Sequence, residues 1–212
     1  SLEDYERYDR VFVASQIYAE QLQSQVNVEV QPLLQCTDSD RFYPDSGLDV
    51  DIPEVLFVGN SRKMYRPIVR DAIAAGLDVG VYGTNWQSFI PQKYQRGTHI
   101  ANDQLRQYYT AAGVVLNDHW QTMRDRGFFS NRLFDAAACG AMIVSDAVVG
   151  LEAVFGDAIA CYHQPEDLGI LVKDCLRRRE STVSQRLALS QRIRQDHSFG
   201  QRVETLLREI DS

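Results

Sequence analysis

Arg132 and Asp135 stand one helical turn apart in SNRLFDAAACG, the stretch of this sequence best suited to hold a ligand. A turn at 127–130 runs into a short Ala-rich helix at 131–139, and Gly140 then stops the helix before an apolar strand at 141–145. Ser130 or Asn131 suits the N-cap, and Gly140 sits where a left-handed residue commonly ends a helix. Free N–H groups at such a helix start attract phosphates and other anions. Arg132 lies in the first turn, where a cation opposes the helix dipole, so its placement calls for an anionic partner. Asp135, on the same face, can accept hydrogen bonds from hydroxyls. Together these residues suit a phosphorylated, hydroxyl-rich ligand.

A second cluster is the loop GNSRKMYR, residues 59–66. Gly59 lets backbone approach a ligand, Asn60 and Ser61 add polar groups, and Arg62, Lys63 and Arg66 supply cations. Arginine can grip a diphosphate in bidentate fashion and lysine acts as a point charge. The loop is neither a Walker A motif nor a GxGxxG fingerprint. Its plain alternative is a solvated basic turn. Two DxD triplets, Asp38-Ser39-Asp40 and Asp49-Val50-Asp51, have the composition of a divalent-cation site. Their place in a polar linker favours turn-forming aspartates instead. His99, His119 and His163 have no readable partner. HExxH, GxSxG and Cys/His ligand clusters are absent, so neither metal nor serine-nucleophile chemistry has support.

The elements that must position these residues alternate along the chain. Apolar strands are expected at 11–15, 54–59, 78–83, 114–117, 141–145 and 158–162, with an extended segment at 28–34. Helical patterns fall at 16–24, 66–75, 131–139 and 165–178, with a further helix capped by Asp103 and running to Ala112. Residues 36–53 read as a linker and 84–98 as a polar loop, while two polar helices, 183–197 and 199–210, finish the chain. Short apolar strands separated by helices specify an α/β, Rossmann-like parallel sheet with helices on both faces. Ligands in such sheets bind at the carboxyl ends of strands near a topological switch. The loops after Gly59, Gly83, Asn117 and Ser145 are therefore the ones to inspect, with Asn117, Ser130 and Asn131 as pocket residues.

The 212 residues fit one large domain, or one domain with an appendage, and 44% hydrophobic with 24% charged residues is ordinary for a globular chain. A net charge of −7 and a pI near 5.1 argue against a nucleic-acid-binding surface. The cysteines Cys36, Cys139, Cys161 and Cys175 lack paired spacing and read as structural thiols of a reducing compartment. No apolar run reaches the roughly 18 residues of a membrane span, and no secretory signal is present, so the expected location is the cytoplasm. The opening Ser1-Leu2, without a methionine, is consistent with a fragment of a longer protein.

The order of these pieces resembles the donor-binding C-terminal half of GT-B glycosyltransferases of the group-1 type, nearest the branch of spore-maturation CgeB-like proteins. YDRVFVASQIYAEQL with CTDSDRFYPD, LFVGNSRK, THIANDQLRQYYTAAGVVLND and SNRLFDAAACGAMIVSD carry the likeness, across about residues 8–178. It implies transfer of a sugar from a nucleotide-sugar to an acceptor, with the donor as substrate, no cofactor and no metal. Gly59, Asn60, Ser61, Arg62, Lys63 and Arg132 would hold the donor phosphates, Asp135 the ribose, and His99 and Ile100 the base. No catalytic residue is assigned. The family's acidic pair departs from pattern, since its first member would fall at Gly127, eight positions before Asp135. The CgeB-like branch has an arginine in this region, here Arg132. The likeness further divides the chain into the tail of a preceding domain and a linker (1–52), a nucleotide-sugar-binding domain (53–180) and C-terminal helices (181–212). The preceding acceptor domain would be missing, leaving the fragment inactive alone. A nucleotide-sugar epimerase and a non-catalytic nucleotide-binding or assembly domain are the rival readings.

Overall fold

The computed structural model describes residues 1–45, 47 and 51–210. Asp49 and Val50 of the second DxD triplet lie outside them. Strand β1 (Arg10–Val13), helix α1 (Gln16–Gln23) and strand β2 (Glu29–Pro32) form a βαβ unit with its own parallel two-stranded sheet. Ser15 caps α1 by accepting from the Tyr18 N–H at 3.1 Å. Ala19, Leu22, Val26, Val28 and Val30 fill the unit's small core.

The main sheet contains β3 (Val55–Val58), β4 (Val79–Tyr82), β5 (Gln95–Gly97), β6 (Val114–Asn117), β7 (Ile143–Asp146) and β8 (Ile159–Tyr162). All pairs are parallel, in the order β5-β4-β3-β6-β7-β8. Apolar side chains bury both faces, which is why the strands read as continuous apolar runs. Leu56, Val115 and Ile143 point into one core, and Val55, Phe57, Val79, Val81, Leu116 and Val144 into the other. The chain builds outward from β3 to β5, then returns to β6 on the opposite side. That reversal places the topological switch between β3 and β6, and opens a crevice at their carboxyl ends.

Around the sheet lie α2 (Pro67–Ala74), α3 (Leu105–Ala111), α4 (Gln121–Asp125), α5 (Asn131–Ala138), α6 (Leu151–Phe155) and α7 (Pro165–Arg178), followed by α8 (Val183–Asp196) and α9 (Phe199–Ile210). Proline opens α2 and α7, where its fixed φ and missing N–H cost nothing. Helix α8 packs on α5, and Arg186 donates to the Gly140 and Arg179 carbonyls. Arg202 of α9 donates to the Leu34 carbonyl at 2.8 Å and the Gln35 carbonyl at 3.0 Å, tying the C-terminal helix to the segment after β2.

Several expectations need correction. The polar stretch 84–98 contains β5, three residues long and at the sheet edge. Helices α4 and α6 were not expected, because five residues are too few to show a helical period. Asp103 does not cap α3, whose N-cap is Gln104 without a side-chain bond. Ser130 is the N-cap of α5, yet neither its hydroxyl nor Asn131 caps the helix, and the Asn131 amide turns to Asp135.

The loops after β3 and β4 press together. Gly83 has φ 154°, and a Cβ there would lie 2.2 Å from the Gly59 carbonyl oxygen. Gly83→Ala should therefore lower unfolding free energy by about 2–4 kcal/mol in urea titrations. A loss below about 0.5 kcal/mol would show that the two loops are not locked to one another.

Candidate diphosphate and ribose site

The loop after β3 is built by hydrogen bonds to the loop after β4. The Gly59 N–H donates to the Tyr82 carbonyl at 2.8 Å, and Trp86 Nε1 donates to the Gly59 carbonyl at 2.8 Å. Asn60 Oδ1 accepts the Thr84 N–H at 2.7 Å. The buried Ser61 hydroxyl donates to the Asn85 carbonyl and accepts the Lys63 N–H at 3.1 Å. These contacts hold Arg62 and Lys63 at φ 54° and 64°, both left-handed and exposed. Such a conformation costs about 1–2 kcal/mol per non-glycine residue, and strain of this kind concentrates at functional sites. Ser61 thus shapes the loop from beneath, while the two cations face solvent.

Across the switch, Arg66 and Asp118 form a buried bidentate pair with side chains 7% and 2% exposed. Arg66 also stacks over Trp120 at 4.4 Å, and Arg62 lies 5.6 Å from the same ring. The pair removes Arg66 from the cations available to a ligand. Its guanidinium is matched by Asp118, and its work is to join the two loops.

Arg132, in the first turn of α5, reaches the same crevice. Its Nη1 donates to Asn117 Oδ1 at 2.8 Å, and its guanidinium lies 5.0 Å over the Phe57 ring. Gly59 makes room, since a Cβ there would stand 2.7 Å from Nη2. Burial pushes the Arg132 pKa down; Tyr109 and Asp118 pull it back, and the Arg66 charge lowers it further. Among the described residues no ion pair includes Arg62, Lys63 or Arg132. The anionic partner that Arg132 called for is not a carboxylate of the described residues within ion-pair distance. Asn117 is fully buried, so it stands behind Arg132 rather than on a pocket wall.

Asp135 accepts from the Thr37 hydroxyl at 2.8 Å and from Asn131 Nδ2 at 2.9 Å. Thr37 is itself clamped between backbone groups, donating to the His197 carbonyl and accepting from the Phe199 N–H. The α8–α9 elbow is thereby joined to Asp135. Ser130 is half-buried at the helix start, His99 is exposed, and Ile100 is buried on the loop between β5 and α3.

Sequence reading missed the partner of His119. Its Nδ1 lies 2.6 Å from Asp146 Oδ1, and its backbone N–H donates to Oδ2 at 3.1 Å. The two residues are 27 apart in sequence, and only the pairing of Asn117 with Ser145 across β6 and β7 brings them together. Gly127, where the family's first acid would fall, has φ 66°, and a Cβ there would meet the Ile17 and Ser15 side chains of the first unit at 3.0 and 3.1 Å. The first DxD triplet makes a turn, with Asp38 Oδ1 accepting the Asp40 and Arg41 N–H groups. No group of three or more His, Cys, Asp or Glu that could hold a metal occurs among the described residues. None of their helices is long and apolar enough to cross a membrane.

The parallel Rossmann-like sheet with its flanking helices has the fold of GT-B glycosyltransferases. Residues 61–208 match the glycosyl transferase-like family, and the chain belongs to that family. It is 30% identical over 108 residues to the spore protein CgeB of Bacillus subtilis, a match covering 43% of this chain and 34% of CgeB. The chain therefore spans about a third of that relative. HepE from Anabaena, solved in complex with UDP, superposes with a TM-score of 0.72 at 13% identity, over 99% of this chain and 66% of HepE. Sucrose-phosphate synthase from Thermosynechococcus elongatus gives a TM-score of 0.67 at 20% identity, over 99% of this chain and 60% of that one.

Asp135 supplies a pH test. Burial pushes its carboxyl up to about 6, against the opposing bonds from Thr37 and Asn131 and the charge of Arg132. An unfolded aspartate titrates near pH 3.9. The folded state therefore holds more protons between about pH 4 and 6, and stability falls as pH rises through that window. Asp135→Asn should remove this contribution. The variant should gain on wild type by up to about 3 kcal/mol between pH 4 and 7 in urea unfolding. A pH-independent difference would show that Asp135 is not held in the buried setting described.

Proposed function

We propose that this chain is the donor-binding part of a glycosyltransferase that moves a sugar from a nucleotide-sugar to an acceptor without a metal. The observation that carries this reading is the trio Arg62, Lys63 and Arg132, three cations at the carboxyl ends of β3 and β6 with no carboxylate paired to them among the described residues. Negative charge grows on the diphosphate as the glycosidic bond breaks. Fixed guanidinium, ammonium and helix N–H groups stabilise that charge in the transition state without reorganising. Gly59, Asn60 and Ser61 shape the phosphate loop, while Ser130 and Asn131 sit at the α5 N-terminus, whose free N–H groups add to the positive field. Asp135 suits the ribose hydroxyls, because it already accepts a hydroxyl from Thr37. His99 and Ile100 flank the course of the base. HepE, solved with UDP, supports a nucleoside diphosphate as the ligand class.

The acceptor, whether glycan, protein or small molecule, would be held by a preceding domain. Two features support that domain. The β1–β2 sheet has only two strands, fewer than an independent sheet needs. Phe199, Val203, Leu207 and Ile210 leave an apolar stripe exposed along α9. One observation favours a non-catalytic nucleotide-binding role instead: Gly127, in place of an acid, packs on α1 with no side chain to offer a donor sugar.

Calorimetric titration of UDP-, GDP- and dTDP-sugars tests the reading. One of them should bind the wild-type chain in the presence of EDTA, and Arg132→Ala should bind it about tenfold or more weakly. The isolated chain should not transfer sugar. Equal binding by both proteins would remove Arg132 from the site, and no binding of any nucleotide would favour an assembly role.

A further inference from the structure

Arg132 does not stand alone behind the crevice; its guanidinium is the first member of a buried hydrogen-bond relay running across β6 and β7. Arg132 Nη1 donates to Asn117 Oδ1 at 2.8 Å, Asn117 Nδ2 lies 2.9 Å from Ser145 Oγ, and Ser145 Oγ lies 3.2 Å from Asp146 Oδ1. Asn117 and Ser145 are fully buried, and Asp146 is 4% exposed. Hydrogen-bond chemistry leaves one arrangement of protons. A guanidinium can only donate and an ionised carboxylate can only accept. The Asn117 carbonyl must therefore face Arg132, and its amide must donate to Ser145. The Ser145 hydroxyl, already accepting, spends its single proton on Asp146.

Asp146 gathers further donors. His119 Nδ1 and the His119 backbone N–H both reach it, and Arg124 Nη1 lies 3.4 Å from Oδ2. His119 Nε2 is buried and has no hydrogen-bond partner among the described residues. The guanidinium at one end and the carboxylate at the other together set the direction of every bond in the relay. At the other end Nη1 is anchored, while Nη2 lies against Gly59 and the phosphate loop.

We propose that Asp146, acting through Ser145 and Asn117 with His119 behind it, is a positioning group that holds the Arg132 guanidinium oriented for a diphosphate. The proposal rests on the reading of Arg132 as a diphosphate-binding residue. Ser145 is the link that can be cut without touching either end, and the loss should appear as disorder of Arg132 rather than as loss of fold.

Two measurements on the full chain decide it. Nitrogen-15 NMR of wild type should show His119 as the Nδ1–H tautomer and the Arg132 guanidinium rotating slowly. Ser145→Ala should release that rotation, and Ser145→Thr, which keeps the hydroxyl, should preserve it. An Nε2–H tautomer, or a freely rotating Arg132 in wild type, would overturn the relay. Binding of inorganic pyrophosphate, a probe free of base and sugar, then completes a double-mutant cycle. Ser145→Ala should weaken it about fivefold and Arg132→Ala about tenfold, with the double variant no weaker than Arg132→Ala. Additive losses would overturn the positioning role. Failure of wild type to bind pyrophosphate would overturn the diphosphate reading, while the NMR signals would still report whether the relay exists.

Discussion

The buried Arg66–Asp118 pair is the constraint on which this site depends. The pair bridges the one place in the sheet where the chain reverses direction, between the ends of β3 and β6. A buried ion pair of this kind adds little net stability, because both charges must first leave water. Its value lies in geometry. The two-point contact fixes the angle of Arg66, and with it the Trp120 ring against which Arg62 also lies. Breaking the pair would strand a charge in the core, which costs far more than the pair contributes.

With Arg66 neutralised, the remaining cations acquire distinct surroundings. Arg62 and Lys63 sit on a strained, exposed loop whose shape comes from Ser61 and the loop after β4. Arg132 is shielded and gripped by Asn117. One wall of the crevice therefore presents its cations to solvent, and the other holds its cation against Asn117 and Phe57. Asp135 belongs to the same helix as Arg132, yet it answers to Thr37 and through it to the α8–α9 elbow. Asp135 thus adds a polar tie between the site wall and the C-terminal helices to the packing of α8 on α5.

Much of this was legible in the sequence where the signal was local. Buried parallel strands announce themselves as apolar runs, so β3, β4, β6 and β8 fell close to their expected positions. Residue type alone marked Arg62, Lys63, Arg132 and Asp135 as polar groups in need of partners. Local reasoning failed where an element was too short to show a period, as in α4, α6 and β5. It also failed where the partner lay far along the chain. Arg66 looked like another free cation because Asp118 is 52 residues away, and Asn117 looked like a pocket residue because it ends a strand whose carboxyl end faces the crevice. Ser145 was marked only as a strand end, and Thr37 and Asp146 carried no signal: Ser145 and Asp146 acquire their roles when β6 and β7 lie side by side, and Thr37 when its segment meets α5.

The nucleoside diphosphate is proposed to lie in the crevice between the loops after β3 and β6. A crystal structure of the chain grown with UDP tests it most directly. The two phosphates should lie between Arg62 and Lys63 on one side and Arg132 on the other, with the Arg66–Asp118 pair intact beneath them. A diphosphate seated elsewhere, for example in the hollow lined by Asp38, Arg41 and Arg106, or bound only after Arg66 leaves Asp118, would contradict it.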